Sequence, residues 1–211
     1  MELAELTVRG FTEEIASASP APGGGSAAAL AGAVGAALTA MVSGLTLGRK
    51  KYEAVQELAL RAQAQAYVLR KRLLAAMEQD TQAFLQVSAA YAMPKQTLEE
   101  KQARSSAIEQ GLKACTQPPL AVMQLCAEGL ELLERLLGKT NATAASDFGV
   151  ACLSLRAGLQ GAWLNVCINT GSLCDAAFAA DARAAGQKLL DAGLPRAERC
   201  YAAMLGACSE E

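Results

Sequence analysis

An aspartate interrupts the apolar face of a long predicted helix. Over residues 53–91, apolar residues recur every three or four positions, and the series passes through Asp80 where a core residue is expected. Burying an unpaired carboxylate is costly, so Asp80 needs a partner or a function. It either caps a neighbouring helix or pairs with Lys or Arg, or it lines a cleft where a raised pKa suits it to proton transfer.

A glycine-rich loop precedes another predicted helix. Within it, Gly23, Gly24 and Gly25 lead to Ser26, which is predicted to cap a helix over 27–46. Backbone N–H groups in such a loop can face an anion. A flexible hinge between packed helices would have the same composition, so the loop alone does not establish a binding site.

Two amides lie one turn apart on the last long predicted helix, beside Leu164 and Ile168. Asn165 and Asn169 can bond a neighbouring backbone or the edge of a flat, nitrogen-rich ring of a ligand. Both interpretations remain open from these residues alone.

The chain has no histidine, which excludes a Ser-His-Asp triad, a Cys-His pair and His-ligated zinc. Acid–base chemistry must then use Asp, Glu, Lys, Cys or Tyr, and we expect neither a metal nor a cofactor. Seven cysteines, an odd number without C-x-x-C spacing, indicate reduced thiols in a cytoplasmic protein. We also expect no signal peptide, because no basic segment followed by an apolar run begins the chain.

Composition favours one all-α domain over residues 1–211. Of these residues, 52% are hydrophobic but only 4% aromatic, so the core must be aliphatic and rich in alanine, which favours helix. The net charge of −2 offers no basic field for nucleic acid. The predicted fold is a bundle of long antiparallel helices, with helices over 3–18, 27–46, 53–91, 98–116, 120–137 and 146–180 and a shorter C-terminal pair divided near Gly193 and Pro195.

The predicted helix over 27–46 also needs to be tested as a membrane span. Residues 27–45 carry no charge and are long enough to cross a bilayer. Ala28, Gly32, Gly35 and Ala36, however, give it a face of small residues. We therefore interpret it as a closely packed central helix of a soluble bundle, with a membrane span as the alternative.

In their order along the chain, these features resemble the family of formiminotetrahydrofolate cyclodeaminases and methenyltetrahydrofolate cyclohydrolases. Over roughly residues 5–180, the matching segments are 22–26, 41–46, 48–52, 80–84, 94–104, 141–147 and 165–169. Two positions depart from the family pattern: Thr140 replaces the usual glycine before Asn141, and Thr170 replaces a common leucine.

The resemblance implies an all-helical homodimer that binds folate in a cleft near the subunit interface. It also implies that Asp80 carries out the cyclodeaminase chemistry, converting 5-formiminotetrahydrofolate to 5,10-methenyltetrahydrofolate and ammonia. In vertebrates the module is fused to a formiminotransferase domain, and we expect this chain to act without one.

On this hypothesis, Asp80 takes the proton from N10 and passes one to the departing nitrogen. The glycine loop, from Gly23 to Ser26, would line the cleft with backbone donors. The remaining candidates fall into two groups. The basic residues that would hold the glutamate or polyglutamate tail of folate are Lys50, Lys51, Lys95 and Arg104. The polar residues that would bind the pterin edge are Asn141, Asp147, Asn165 and Asn169.

Two other functions remain open. A cyclohydrolase would use the same cleft and carboxylate to add water to the methenyl carbon, giving 10-formyltetrahydrofolate. A non-catalytic folate-binding bundle would need no carboxylate on its apolar face, so Asp80 argues against it.

Overall fold

The computed structural model describes residues 2–209, and within that range the chain is all α-helical, without strands. Short 3-10 helices occupy Leu3–Glu5, Lys50–Val55 and Ala142–Ala144. The α-helices are α1 (Val8–Ala16), α2 (Gly24–Thr46), α3 (Gln56–Tyr91), α4 (Leu98–Leu136), α5 (Ala145–Gly171) and α6 (Ala176–Ser209). The predicted all-α bundle of long helices is confirmed.

Helices α2 and α5 form the antiparallel centre of the bundle. A β-carbon at Gly35 would lie 2.9 Å from the carbonyl oxygen of Ala151, and one at Gly158 would lie 2.9 Å from that of Ala28. Real β-carbons do not come this close to backbone atoms, so the glycines let the two helices touch backbone to backbone. The small-residue face of α2 therefore packs within the chain.

The other long helices surround this pair. Helices α3 and α4 pack on α2, while α6 packs on α4 and α5. On α3 the predicted stripe is buried at Ala62, Ala66, Leu69, Leu73 and Met77. This burial holds α3 in one rotation about its axis, which fixes the direction of Asp80 one turn further on.

Helix α2 is long and apolar enough to cross a membrane, but 56% of its most apolar window is buried inside the chain. The core helix of a soluble bundle passes the same test of length and composition. The burial agrees with the interpretation of α2 as a central packed helix.

The first predicted helix boundaries are wrong. The segment 3–18 is divided at Leu6 and Thr7, which are extended, and Thr7 caps α1 through its side chain. Helix α2 begins at Gly24, three residues before the predicted start, with Gly23 as its N-cap. Ser26 lies inside the first turn, and its hydroxyl bonds to α3 instead of capping α2.

The prolines do not end helices as predicted. Helix α4 runs unbroken through Pro118 and Pro119, and α6 runs through Pro195. Pro119 has no N–H for the carbonyl of Cys115, but the amide Nδ2 of Asn169 donates to that oxygen at 2.7 Å. A side chain from another helix thus replaces the missing backbone donor.

The predicted helix 146–180 is also wrong at its end, because α5 stops at Gly171. Arg183 of α6 donates to the hydroxyl of Thr170 and to the carbonyl of Cys167, satisfying the last turn of α5. Asp175 then caps α6 by accepting from the N–H of Phe178 at 3.0 Å. Helix α4 begins with a capping box of Thr97 and Glu100, and Gly138 just after its end has a positive φ.

Candidate active site

A cleft of about 350 Å³ opens where the start of α2 meets the middle of α3, the centre of α4 and the end of α5. It brings together several candidates that are far apart in sequence. Its lining includes Gly23, Gly24, Gly25, Asp80, Thr81, Phe84, Tyr91, Cys115, Asn165, Ile168 and Asn169.

The carboxylate of Asp80 lies at the base of this cleft, against the first turn of α2. The Ser26 hydroxyl is 3.0 Å from Asp80 Oδ2, 3.2 Å from the Met77 carbonyl and 3.0 Å from the Thr81 hydroxyl. Burial raises the pKa of Asp80, and this effect exceeds the opposing one of hydrogen bonds from the side chain and backbone of Ser26. A raised pKa makes a carboxyl that is open to a cleft better able both to accept and to donate a proton than an ordinary aspartate.

The first turn of α2 places backbone N–H groups beside this carboxylate, and that of Ser26 donates to it. Gly23 is the N-cap, and the first helical hydrogen bond runs from Ala27 N–H to its carbonyl. The N–H groups of Gly24, Gly25 and Ser26 therefore have no acceptor within the helix, and this end of α2 carries partial positive charge. Gly23, Gly24 and Gly25 thus line the cleft as the N-terminus of a helix and not as a flexible hinge, while their role as backbone donors to a ligand stays a prediction.

The amides of Asn165 and Asn169 reach the cleft from α5. Asn165 Nδ2 donates to the Gly161 carbonyl at 2.9 Å, and Asn169 Nδ2 donates to the Cys115 carbonyl at 2.7 Å. Both side chains are half-buried. Each amide is thus held in one orientation by the backbone.

The other cleft walls include residues that the sequence analysis did not assign to a site. Phe84 and Tyr91 continue the stripe of α3, but they are exposed and line the cleft, so their predicted place in the core is wrong. Cys115 lies opposite Asp80, and burial together with the Asp80 charge raises the pKa of its thiol to about 11. The helical spacing of Phe84 and Tyr91 from Asp80 could have indicated from the sequence that they share its side of the helix, whereas no sequence feature indicated Cys115.

Four predicted site residues lie at the opposite end of α2. Lys50 and Lys51 are exposed in the 3-10 helix Lys50–Val55, and Asp147 is in the first turn of α5. Asn141 is buried: its N–H donates to Thr46 Oγ1 at 2.9 Å, and its side-chain oxygen accepts from the Thr143 N–H. Helix α2 has 23 residues, or about 35 Å of length, between this end and Asp80. Within one chain these four residues cannot share a pterin with Asp80.

The remaining two predicted basic residues do not line the cleft either. Lys95 is exposed in the connection between α3 and α4. Arg104 donates from Nε and Nη2 to the carbonyl of Tyr91, and its guanidinium lies 5.7 Å from the centre of the Tyr91 ring. Arg104 thus fixes a cleft-wall residue at the end of α3.

No three His, Cys, Asp or Glu side chains within residues 2–209 lie together in a way that could hold a metal ion. The ionisable groups of the cleft wall are Asp80, Cys115 and Tyr91.

The fold and the cleft define an all-helical protein whose cleft combines one carboxylate with amide, hydroxyl and apolar side chains. Residues 7–188 match the model of the Formiminotransferase-cyclodeaminase family, and the chain belongs to that family.

Relatives with two kinds of name match this chain. It is 44% identical over 173 residues to a methenyltetrahydrofolate cyclohydrolase from Methylorubrum extorquens, covering 82% of this chain and 83% of that protein. It is 33% identical to the mouse formimidoyltransferase-cyclodeaminase over 83% of this chain, but spans only 32% of that longer protein. The crystal structure of a Thermotoga maritima formiminotetrahydrofolate cyclodeaminase matches with a TM-score of 0.83 and 26% identity, over 98% of this chain and 97% of that one.

Proposed function

We propose that the chain hydrolyses 5,10-methenyltetrahydrofolate to 10-formyltetrahydrofolate, with Asp80 as the group that transfers protons. The observation that carries this proposal is a half-buried carboxylate with a raised pKa in a cleft that is lined by both polar and apolar side chains. We favour hydrolysis over the cyclodeamination expected from the sequence, because the 44% identical cyclohydrolase matches over four-fifths of both chains.

The reaction needs a base and then an acid at the same place. Water adds to the methenyl carbon, and ionised Asp80 takes one of its protons. The bond from that carbon to N5 then breaks as Asp80 returns the proton to N5, and the remaining hydroxyl proton leaves to solvent as the formyl C=O forms. One proton is released overall. A single carboxylate with a pKa near the working pH can contribute about 10²–10⁴-fold in rate.

The charge of the substrate suits this site. The methenyl bridge is cationic, and the ionised carboxylate of Asp80 is its counter-charge in a cleft of low polarity. The apolar wall of Phe84, Val87 and Leu112 limits competing solvation by water.

Cyclodeamination is the second candidate, supported by the close fold match to the Thermotoga maritima cyclodeaminase. In that reaction the formimino group reacts as its protonated, cationic form (HC=NH2+), and N10 attacks its carbon and gives its proton to Asp80. The carbon–nitrogen bond then breaks as Asp80 protonates the departing amine, leaving ammonia and the methenyl bridge. Both reactions use the same carboxylate, but they differ in the nucleophile, which is water or N10, and in the group that leaves, which is N5 or ammonia.

The proposed enzyme is a homodimer that pairs the outer faces of α2 and α5. Large apolar side chains are exposed along both helices, including Leu164 at 68% and Ile168 at 71%. Monomeric soluble proteins rarely expose a continuous patch of this kind. The patch consists of Val34, Met41 and Leu45 on α2 and Val150, Leu153, Leu164 and Ile168 on α5.

An antiparallel arrangement of this dimer would also explain why the predicted site residues lie at both ends of α2. A two-fold axis across the middle of α2 puts the start of α2 in one protomer beside the end of α2 in its partner. Lys50, Lys51, Asn141 and Asp147 of one protomer would then approach the Asp80 cleft of the other, where the lysines can hold a folate glutamate tail. Ile168 belongs to both the patch and the cleft lining, so the interface would close the cleft.

The decisive experiment is turnover by purified protein with two substrates in parallel. Methenyltetrahydrofolate hydrolysis is followed by loss of its absorbance, and formiminotetrahydrofolate conversion by ammonia release. We expect faster hydrolysis, and a fall of at least about 10²-fold in Asp80→Asn, with the exposed Asp181→Asn as matched control. Dominant ammonia release would reverse the order of the two candidates. Full activity of Asp80→Asn, or folate binding without either reaction, would overturn the proposal.

A further inference from the structure

We propose that Asn165 and Asn169 hold the exocyclic 2-amino group of the pterin between their two side-chain oxygens. This inference rests on the proposed folate substrate and adds which edge of the ring the cleft reads, and through which atoms. It makes the two asparagines determinants of specificity and not of the chemical step.

The first observation is that the donor side of each amide is already used. Asn165 Nδ2 is bound to the Gly161 carbonyl, and Asn169 Nδ2 is bound to the Cys115 carbonyl that Pro119 leaves without a backbone donor. Turning either amide over would set its oxygen against a carbonyl oxygen. The orientation of both groups is therefore fixed by the fold before any ligand arrives.

The second observation is that both side-chain oxygens remain available. Neither oxygen accepts a hydrogen bond from the described residues, and no buried side-chain oxygen or nitrogen there lacks a partner. Both oxygens must therefore be accessible, and both residues line the cleft. The α5 wall consequently presents two acceptors, which call for a ligand edge made of donors.

The spacing of the two residues fits one kind of donor. Side chains four residues apart on a helix have β-carbons about 5–6 Å apart. The two N–H bonds of a planar amino group diverge by about 120°, so acceptors at hydrogen-bond distance from it are about 5 Å apart. The β-carbon spacing of Asn165 and Asn169 therefore matches the acceptor spacing that a primary amino group on an aromatic ring requires, and the pterin has one such group, at its position 2.

This placement also orients the rest of the substrate. The 2-amino group and N5 are at opposite ends of the bicyclic pterin. A β-carbon at Gly24 would lie 3.9 Å from Asn165 Nδ2, while the next residue, Gly25, touches the Asp80 carboxylate. With its amino end on α5, the ring points its N5 end toward Asp80 and the start of α2.

The test measures dissociation constants for two ligands with each protein by calorimetry. The probes are 5-formyltetrahydrofolate and its counterpart with a methyl group replacing the 2-amino group. Wild type should prefer the amino ligand by at least about tenfold, because the analogue leaves both oxygens unpaired. Asn165→Leu should lower that preference to within about threefold, whereas Asn165→Asp, which keeps an acceptor, should retain the tenfold preference.

Each other outcome has a distinct meaning. An equal preference in wild type and Asn165→Leu would overturn the inference while leaving the proposed reaction intact. Loss of the preference in both Asn165→Leu and Asn165→Asp, which share only the missing amide nitrogen, would indicate recognition through that nitrogen and would also overturn it. Failure of wild type to bind or convert any reduced folate would refute the proposed function and this inference together. Circular dichroism confirms that each variant is folded.

Discussion

The carboxylate of Asp80 lies against the α-carbon of Gly25 so closely that a β-carbon there would overlap both of its oxygens. This glycine in the first turn of α2 and the aspartate of α3 are 55 positions apart, yet any side chain larger than glycine at position 25 would collide with the Asp80 carboxylate. Because Gly25 has a negative φ, it is required here for space and not for backbone conformation. The glycine loop therefore serves to bring a helix N-terminus onto a carboxylate.

Replacing Gly25 with alanine should displace Asp80 while leaving the helix intact. We expect kcat/KM to fall about 10²-fold, the effect of misplacing a reacting group by about 1 Å. Helicity should be retained, because alanine favours helix over glycine by about 1 kcal/mol. Gly24→Ala is the matched control, since its β-carbon meets nothing closer than Asn165 Nδ2 at 3.9 Å. Equal losses in the two variants would contradict the account.

The raised pKa of Asp80 predicts how Asp80→Asn changes stability with pH. The folded protein binds this proton more tightly than the unfolded chain, so the contribution of Asp80 is fully present below about pH 4 and is lost as pH rises through the folded pKa. Asn stays neutral and can still accept from Ser26. We expect the variant to gain about 1–3 °C in Tm at pH 8 relative to pH 4, allowing for screening of a half-exposed group. A pH-independent difference between the proteins would refute this.

Activity should follow the ionisation of the same group. As the first base in either reaction, Asp80 must be ionised, so kcat/KM should rise with pH through a pKa above the ordinary carboxyl value of about 4. The measurement is the rate profile between pH 4 and 8, corrected for uncatalysed hydrolysis. This rising limb of the pH profile should be absent from the residual activity of Asp80→Asn. An unchanged limb in that variant would assign it to another group.

Several parts of this arrangement could be predicted from the sequence. Asp80 breaks a clear helical stripe, and a residue that costs stability at a core position is visible without coordinates. The structure brings it into one cleft with the glycine loop, Asn165 and Asn169, although their roles remain predictions. The number of helices and their boundaries were harder to predict from the sequence, because they depend on contacts between residues far apart in the chain.

The prolines of α4 and the lysines illustrate what was missing. Pro119 is compatible with a continuous helix only because Asn169, 50 residues later, bonds the carbonyl that it leaves open. Lys50 and Lys51 follow α2 directly, but nothing local indicates that the long helix carries them away from Asp80. Contacts between distant segments decide both questions, and a single sequence does not contain them explicitly.

The bond from Asn169 to the Cys115 carbonyl predicts a coupling with Pro119. Asn169→Leu should cost about 1–3 kcal/mol in unfolding free energy, because a buried carbonyl loses its donor. In a Pro119→Ala background the backbone N–H returns, so the same substitution should cost measurably less. Urea unfolding of the four proteins in a double-mutant cycle gives the coupling. An identical cost in both backgrounds would show that Asn169 does not replace the missing donor.

The proposed antiparallel dimer predicts complementation between two defective chains. Asp80→Asn lacks the proton-transfer group, and Lys50→Glu with Lys51→Glu lacks the proposed tail contact. In a mixed dimer, one cleft combines the intact Asp80 of one protomer with the intact lysines of its partner. Random pairing should then restore about a quarter of wild-type activity per chain toward a polyglutamylated substrate.

Differently tagged chains, coexpressed and purified through both tags, would isolate the mixed dimers, and light scattering would verify their mass. Such dimers should have about half of wild-type activity, since one of two sites is complete. If the lysines acted on the cleft of their own chain, no site would be complete. Activity would then stay at the average of the two parent proteins, so the outcome depends on which chain supplies the charge.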